Sequence, residues 1–244
     1  MIRDLGRYLL FTFRAFTGMG YVLKRPRLIL KQIYYLGLLS LPVISFTAIF
    51  MGMVVALMVT YQLEVGLPKF YVGATGGRTI LIELAPVIIS LIVVARVGSN
   101  ITARIGTMKV TEQVDALETM GINSVHYLAL PIFIAGTIVV PVLVIYGNLI
   151  SLVAAAVSAK VIADIPIADY IFGLRRYVIL NDVLGGMLKT ILFGLIMGSV
   201  SSYYGFRSEL GAEGVGKAVT QSVVTSAALI MIFDFIVAFW VFRV

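Results

Sequence analysis

The chain contains no cysteine and a single histidine, His126, among 244 residues. The first absence excludes a disulfide scaffold, thiol chemistry and zinc–thiolate sites, and the second excludes a multi-histidine metal centre. Charge is also scarce: 13% of residues are Asp, Glu, Lys or Arg, against about 25% in an ordinary soluble domain. Hydrophobic residues make up 60%, and the mean hydropathy is +1.04. Too few polar side chains remain to cover a globule of this size with a wettable surface. A soluble enzyme is excluded on that ground, and a disordered chain by the high hydrophobicity. The class that is left is a polytopic, all-α integral membrane protein.

A membrane-crossing helix needs roughly 20 mostly apolar residues, because the hydrocarbon core is about 30 Å thick and a helix rises about 1.5 Å per residue. Between Lys31 and Glu64 lie 32 uncharged residues, and between His126 and Lys160 another 33. Each would make a helix of roughly 50 Å, too long for one straight span and too short for two with a turn. Both read as one span plus an interfacial or broken portion, with Pro42 and Gly52 as break points in the first and Pro131 and Pro141 in the second. Three further apolar stretches are punctuated by charge: 79–97 contains Glu83 and ends at Arg96, 183–206 contains Lys189, and 218–242 contains Asp234. The count is five spans, the first at about 41–61, in a single membrane domain covering 1–244.

Residues 1–31 carry seven basic residues against one acid, Asp4. The Lys/Arg bias therefore predicts a cytoplasmic N-terminus. With that orientation 98–126 lies inside and 160–182 outside; the bias rests on the arm, 1–35. The arm is not a signal peptide, since its basic residues alternate with aromatics and no short apolar run with a small-residue cleavage site follows. On a helix Arg3, Arg7 and Arg14 fall within roughly 40° of each other, while Leu5, Leu9, Phe13 and Phe16 occupy another face. That pattern suits a helix lying in the membrane interface beside anionic lipid. The plainer alternative is a solvated basic face flanking the first span.

Within 98–126, Lys109–Met120 reads as a short helix. Val110, Val114 and Leu117 repeat at four and three residues, and Gly121 supplies a stop. Glu112, Asp115 and Glu118 occupy the remaining surface. Three turns bury too little apolar area to stand alone in water, so this helix must dock on the membrane, on its own protein or on a partner. Outside, 160–182 mixes Asp164, Asp169 and Asp182 with Arg175 and Arg176. Its Tyr170, Phe172 and Tyr177 suit an interface-level belt or contact with an extracytoplasmic protein.

The run Gly211-Ala-Glu-Gly-Val-Gly-Lys217 matches the spacing of a phosphate-binding loop, but the next residue is Ala218, where that chemistry needs a hydroxyl on Mg²⁺. Glycine-rich backbone here more simply permits a tight turn or close helix approach. The glycosylation sequon at Asn100–Thr102 falls on the cytoplasmic side and carries nothing.

Ionisable groups inside spans are expensive and should be paired or line a wet cavity. Glu83, Lys189 and Asp234 all fall at a comparable depth in the outer part of the bilayer if helix rise is counted from the span ends. Lys189 is therefore expected to pair with Glu83, Asp234 or both. Such a layer is either a structural ion pair or a polar wall for an ion or an amphiphile's headgroup.

Two strings carry a family resemblance: Arg104-Ile-Gly-Thr-Met-Lys-Val-Thr-Glu-Gln-Val-Asp-Ala-Leu-Glu-Thr-Met-Gly121, and Gly211-Ala-Glu-Gly-Val-Gly-Lys-Ala-Val-Thr-Gln-Ser-Val-Val224 with Asp234. With them the chain resembles the MlaE (YrbE-type) permeases, membrane subunits of ABC transporters that move phospholipid between the inner and outer membranes and so maintain outer-membrane asymmetry. The chain departs from the family pattern at Ser124 and Ile132, where family members often have proline and arginine. The resemblance implies a coupling helix for the ATPase formed by Lys109, Thr111, Glu112, Gln113, Asp115, Leu117 and Glu118. It implies a lipid pathway near Glu83, Lys189 and Asp234. It further implies a homodimer in the bacterial inner membrane, ABC ATPase subunits that bind ATP and Mg, a periplasmic ring of MCE-domain proteins and a small cytoplasmic accessory subunit. Neither catalysis, a metal, a cofactor bound by this chain, nor a nucleic-acid partner is expected. The rival reading is an ATP-independent secondary transporter or channel for an amphiphilic or ionic substrate.

Overall fold

A computed structural model describes residues 2–63 and 68–241, with side chains for all of these except residues 2–5 and Leu23. Glu64, which bounds the first uncharged run, lies outside the described residues, as do the side chains of Arg3 and Leu5. Among the described residues the chain is helical, with no strand.

The arm forms α1 (Ile2–Thr17), α2 (Met19–Leu23) and α3 (Pro26–Gly37). A 3₁₀ turn at Leu38–Ser40 separates α3 from α4 (Leu41–Gln62), so the first long run breaks just before Pro42 and not at Gly52. Proline fits at the start of α4 because the first turn of a helix leaves its N–H groups unpaired anyway. Gly52 instead permits a close helix approach: a Cβ there would collide with the Ser151 carbonyl oxygen. Next come α5 (Tyr71–Thr79), a π-turn at Ile80–Leu84, α6 (Ala85–Val93), a second π-turn at Val94–Gly98 and α7 (Ser99–Val110). The short helix α8 (Gln113–Thr119) follows, then a third π-turn at Val125–Ala129, α9 (Leu130–Ala163), α10 (Ile167–Tyr177), α11 (Leu180–Phe206) and α12 (Ala212–Val241).

Among the described residues five stretches are long and apolar enough to cross a membrane: Pro26–Gln62, Tyr71–Val110, Val125–Ala163, Leu180–Phe206 and Ala212–Val241. The expected count of five holds, but two boundaries differ. The second span does not stop at Arg96; helical structure continues to Val110. A charge ends a hydrophobic run without ending a helix, which needs a proline, a glycine or a cap. The stretch after His126 is not broken either. α9 runs for 34 residues with Pro141 inside it, and Pro131 sits in its first turn. An internal proline in a packed apolar helix loses one backbone bond that its surroundings can offset.

By internal packing the chain divides into two units. One comprises the described residues up to Ser40 with Leu91–Val140 and Ile191–Phe233; the other comprises Leu41–Ser90, Pro141–Thr190 and the described residues from Asp234 onward. In the first unit α1 and α2 pack on the start of α9 through Ala15, Val22, Ala129, Leu130 and Phe133. The face of α1 turned inward carries Tyr8, Phe11 and Ala15, with the Tyr8 hydroxyl 2.6 Å from Ser199 Oγ. Leu9, Phe13 and Phe16, the apolar face visible in the sequence, are exposed, as are Arg7 and Arg14. α1 thus has two apolar faces, of which only the outer one follows the simple pattern. His126 holds its far end: Nε2 lies 3.0 Å from the Arg14 carbonyl oxygen and 3.3 Å from Thr17 Oγ1.

In the second unit α5 crosses α10 at a reciprocal glycine contact. A Cβ on Gly73 would strike the Tyr170 carbonyl oxygen, and one on Gly173 would strike that of Phe70. The two backbones touch because neither residue has a side chain. Around this crossing Phe70 packs with Tyr71, Phe172 and Tyr177.

Candidate functional site: a buried ion triad

The second unit contains the intramembrane charges. Glu83 sits on the π-turn that joins α5 to α6, Lys189 on α11 and Asp234 on α12. A π-turn inserts one residue into the helical register, which turns the following side chains and often marks a working site. Lys189 Nζ donates to Glu83 Oε2 at 2.6 Å and stands 2.9 Å from Asp234 Oδ1. The expected pairing is therefore with both carboxylates at once.

Burial within the triad is uneven. The Lys189 side chain is fully enclosed and that of Asp234 is 11% exposed, while that of Glu83 is 41% exposed. An ammonium buried alone would cost several kcal/mol of lost hydration, and two carboxylates at contact distance offset that cost. One cation against two anions leaves the triad with a formal charge of −1, and its accessible corner is the acid Glu83. The arrangement can present a polar, partly open wall inside an otherwise apolar span.

A second ion pair, absent from the sequence expectations, lies on the same elements. Arg78 on α5 clamps Asp182 on α11 with Nε to Oδ2 at 2.8 Å and Nη2 to Oδ1 at 2.9 Å. Asp182 Oδ2 also accepts the Ile179 backbone N–H at 3.2 Å. It thereby satisfies an orphan donor at the start of α11 from the third helical position, as the acid of a capping box does. Asp182, assigned to the outer segment from sequence, is buried. Arg78 precedes Glu83 by five residues and Asp182 precedes Lys189 by seven, so two opposite-charge pairs at nearly matched spacing on two spans were the available signal.

Residues 160–182 are organised by α10. Tyr170 is buried beneath it and is no belt residue, while Phe172 remains exposed. Burial pushes the Tyr170 phenol up to about 12, and its hydroxyl has no hydrogen-bond partner among the described residues. Lys160 pairs with Asp164 one turn on and holds that carboxyl below the usual range.

An apolar groove of about 600 Å³ runs along α4 and α9 in the same unit, lined by Ile49, Met53, Leu149, Val153 and Val157 among others. Spans one and three line it. Other large apolar side chains, Phe46, Phe50 and Met58 on α4 and Met231, Phe233 and Phe235 on α12, are exposed, and Met51 is buried.

In the first unit, the helix expected at 109–120 is shorter. Lys109 closes α7, donating from Nζ to the Ser208 carbonyl oxygen at 2.8 Å. Thr111 Oγ1 bonds back to the Thr107 carbonyl, and Glu112 takes a left-handed conformation (φ 57°) that separates the two helices. α8 therefore starts at Gln113, whose Nε2 donates to Thr111 Oγ1. Val114 is buried and Leu117 half-buried, while Glu112, Asp115 and Glu118 are exposed, as the periodicity required. Glu118 accepts from Ser124 Oγ at 2.7 Å, and Gly121 ends the segment with φ 74°. Among the described residues no three His, Asp or Glu side chains are grouped so as to hold a metal ion.

Five membrane-length helices with a lysine enclosed among carboxylates define a multi-pass membrane protein. Its relatives narrow the class. The family model for permease MlaE matches residues 29–240. A probable ABC transporter permease protein of Rickettsia bellii is 35% identical over all of this chain and 94% of its own length. One from Pyropia yezoensis is 32% identical over 88% of this chain and 82% of its own. The intermembrane phospholipid transport system permease protein MlaE of Haemophilus influenzae is 30% identical over 96% and 90%, respectively. The chain belongs to the MlaE permease family. It is thus an ABC-transporter permease, a transport subunit and not an enzyme.

Proposed function

We propose that this permease moves phospholipid between the inner and outer membranes of a bacterium, as a homodimer driven by separate ABC ATPase subunits. The observation that carries the reading is the enclosure of Lys189 between Glu83 and Asp234 on three different spans. A phospholipid site needs apolar walls for acyl chains and a few fixed polar groups for the head. The α4–α9 groove and the triad supply these two kinds of surface. The Haemophilus influenzae relative, an intermembrane phospholipid transport system permease protein, supports phospholipid as the cargo.

The remaining parts follow from the same reading. The N-terminus lies in the cytoplasm and the chain in the inner membrane, with α1 in the interface and Arg3, Arg7 and Arg14 beside anionic headgroups. α8 is the coupling helix: Glu112, Asp115 and Glu118 face the ATPase, while Val114 and Leu117 hold the helix to its own protein. ATP and Mg are bound by that ATPase and not by this chain. Its closure on ATP pulls on α8, rocks the two permease copies and alters the affinity of the lipid site. A periplasmic MCE-domain ring receives or delivers lipid, and a small cytoplasmic accessory subunit completes the assembly. Co-expression of the chain with its neighbouring genes, followed by mass spectrometry of copurified lipid and protein, tests the reading. Phospholipid together with an ATPase is the expected result. Recovery of the chain with ATP-independent transport activity and no ATPase would favour a secondary transporter.

A further inference from the structure

The glycine-rich run rejected above as a nucleotide loop has a different setting in the fold. It lines, with the end of α11 and with Tyr8 of α1, a cavity of about 1120 Å³ in the first unit. This cavity shares no residue with the ion triad or the α4–α9 groove. Its size is just above the range of about 300–1,000 Å³ for drug-sized ligands, which leaves room for a larger amphiphile.

The lining is sorted by polarity along α12. Lys217 stands at one end, Gln221 follows one turn later, and Val224, Leu229 and Ile232 continue the wall. From Val224 to Ile232 the helix advances about 12 Å, close to half of the roughly 30 Å hydrocarbon thickness. The opposite wall at the polar end is Arg207 on the turn that closes α11. Its guanidinium donates to the Tyr203 hydroxyl and lies over the Tyr203 ring, 5.3 Å from the centroid. The fork is thereby oriented by an aromatic base that itself lines the cavity. Lys217 makes no ion pair with a described residue. Tyr204 and Thr225 bond to each other at 3.0 Å and close the wall between the polar and apolar ends.

Charge sets the kind of ligand. Among the described lining residues, Arg207 and Lys217 face the cavity with one acid, Glu209. The balance is +1, which suits a single negative charge and opposes a polyanion. A second copy of this chain meeting itself here would bring two patches of the same net positive charge together, so like charge disfavours that occupant.

We infer that this cavity holds one monoanionic phospholipid, its phosphodiester between Arg207 and Lys217 and its acyl chains along Val224, Leu229 and Ile232. The site is independent of which lipid the triad serves. It retains a lipid against one end of the permease, in contact with α1, α11 and α12 together.

The test uses the full chain, delipidated in detergent and titrated with palmitoyl-oleoyl phosphatidylglycerol while native mass spectrometry counts bound lipid. One tightly bound lipid is expected in the wild type. Arg207→Gln with Lys217→Gln should weaken it about tenfold or more, the loss of charge-assisted hydrogen bonds. Arg207→Lys with Lys217→Arg should restore most of the binding, which separates charge from misfolding. Phosphatidylcholine should bind the wild type about as weakly as phosphatidylglycerol binds the neutralised variant. Soluble glycerol 3-phosphate should not compete, because it lacks acyl chains. Equal phosphatidylglycerol binding in wild type and neutralised variant overturns the inference, and so does effective competition by glycerol 3-phosphate. The native chain has no cysteine, so Val224→Cys introduces the sole thiol. Its ready disulfide cross-linking between two copies, with or without lipid, would show a second copy in the cavity and likewise overturn the assignment. The fully neutral triad variant, Glu83→Gln with Lys189→Met and Asp234→Asn, should bind phosphatidylglycerol as the wild type does even where transport is lost, which keeps this site separate from the proposed transport function.

Discussion

Arg78 and Asp182 form a fork-to-fork pair with one partner exposed and the other enclosed. The Arg78 side chain is 42% exposed and that of Asp182 only 2%. The two charges are thus not equivalent to remove. Arg78→Met strands a buried carboxylate and should cost about 3–5 kcal/mol, the range for breaking a buried pair. Asp182→Asn leaves an arginine that is not enclosed and an amide that still accepts the Ile179 N–H, so its cost should be about 1–2 kcal/mol. Thermal unfolding of the two variants in the same detergent checks the asymmetry. Equal losses would mean that the pair is not enclosed as described.

The crossing of α5 and α10 makes a prediction about coupling. Gly73→Ala and Gly173→Ala each push the same two backbones apart and should each destabilise by about 1–3 kcal/mol, as overpacking does. Once one substitution has separated the helices, the second meets a wider gap, so the double variant should lose less than the sum. Gly216, with open space where a Cβ would stand, is the control. In the interior of α12 its replacement by alanine should stabilise by about 0.5–1 kcal/mol through helix propensity.

Much of this architecture was legible in the sequence, and the gaps have physical causes. Spacing between charges located five spans because desolvating a charge in hydrocarbon is costly whatever the fold. The same reasoning put Glu83, Lys189 and Asp234 together, since equal depth on separate helices leaves few other partners. Arg96 misled because a polar residue on an exposed helix face changes hydropathy and leaves the backbone unchanged. Pro141 misled in the opposite sense: the local rule says break, and packing overrides it. Nothing local marks Glu112 as left-handed, for the conformation is uncommon outside glycine, asparagine and aspartate. Tyr8, Phe11 and Ala15 were hidden because a second apolar face blurs the amphipathic pattern that one face would make.

Tyr170 links burial to alkaline stability. Its folded value of about 12 lies above the ordinary tyrosine value of about 10, so the folded state favours the protonated phenol. That contribution is fully present below pH about 10 and is lost as the pH rises toward 12. Unfolding measured from pH 8 upward should therefore show a steeper alkaline loss in the wild type than in Tyr170→Phe. At neutral pH the phenylalanine variant should be as stable as the wild type or slightly more so, because the buried hydroxyl it removes has no partner among the described residues. A neutral-pH loss above about 1 kcal/mol would contradict this account.

α8 offers a test that leaves the membrane region untouched. Glu112 and Asp115 are exposed at its start, so Glu112→Lys with Asp115→Lys changes charge without changing the buried Val114. The double variant should insert and fold normally but fail to copurify with the ATPase, or copurify without lipid-stimulated ATP hydrolysis. Undiminished association and stimulation would remove α8 from the coupling contact.

Lys189 separates a structural triad from a working one. Lys189→Met alone leaves Glu83 and Asp234 facing each other without a counter-charge, so a loss of transport in that variant could reflect damage to the fold. The fully neutral variant, Glu83→Gln with Lys189→Met and Asp234→Asn, removes that ambiguity, because isosteric replacement of an entire buried ion cluster is often close to neutral in stability. If the triad only ties α11 and α12 to the π-turn, the neutral variant should fold and transport lipid nearly as the wild type does. If Lys189 supplies a fixed charge to a headgroup reached past the half-open Glu83, it should fold with little change in thermal stability and transport nothing. Reconstitution with the ATPase and a fluorescent phospholipid, read beside a melting curve of the same preparation, distinguishes the outcomes. We expect the second.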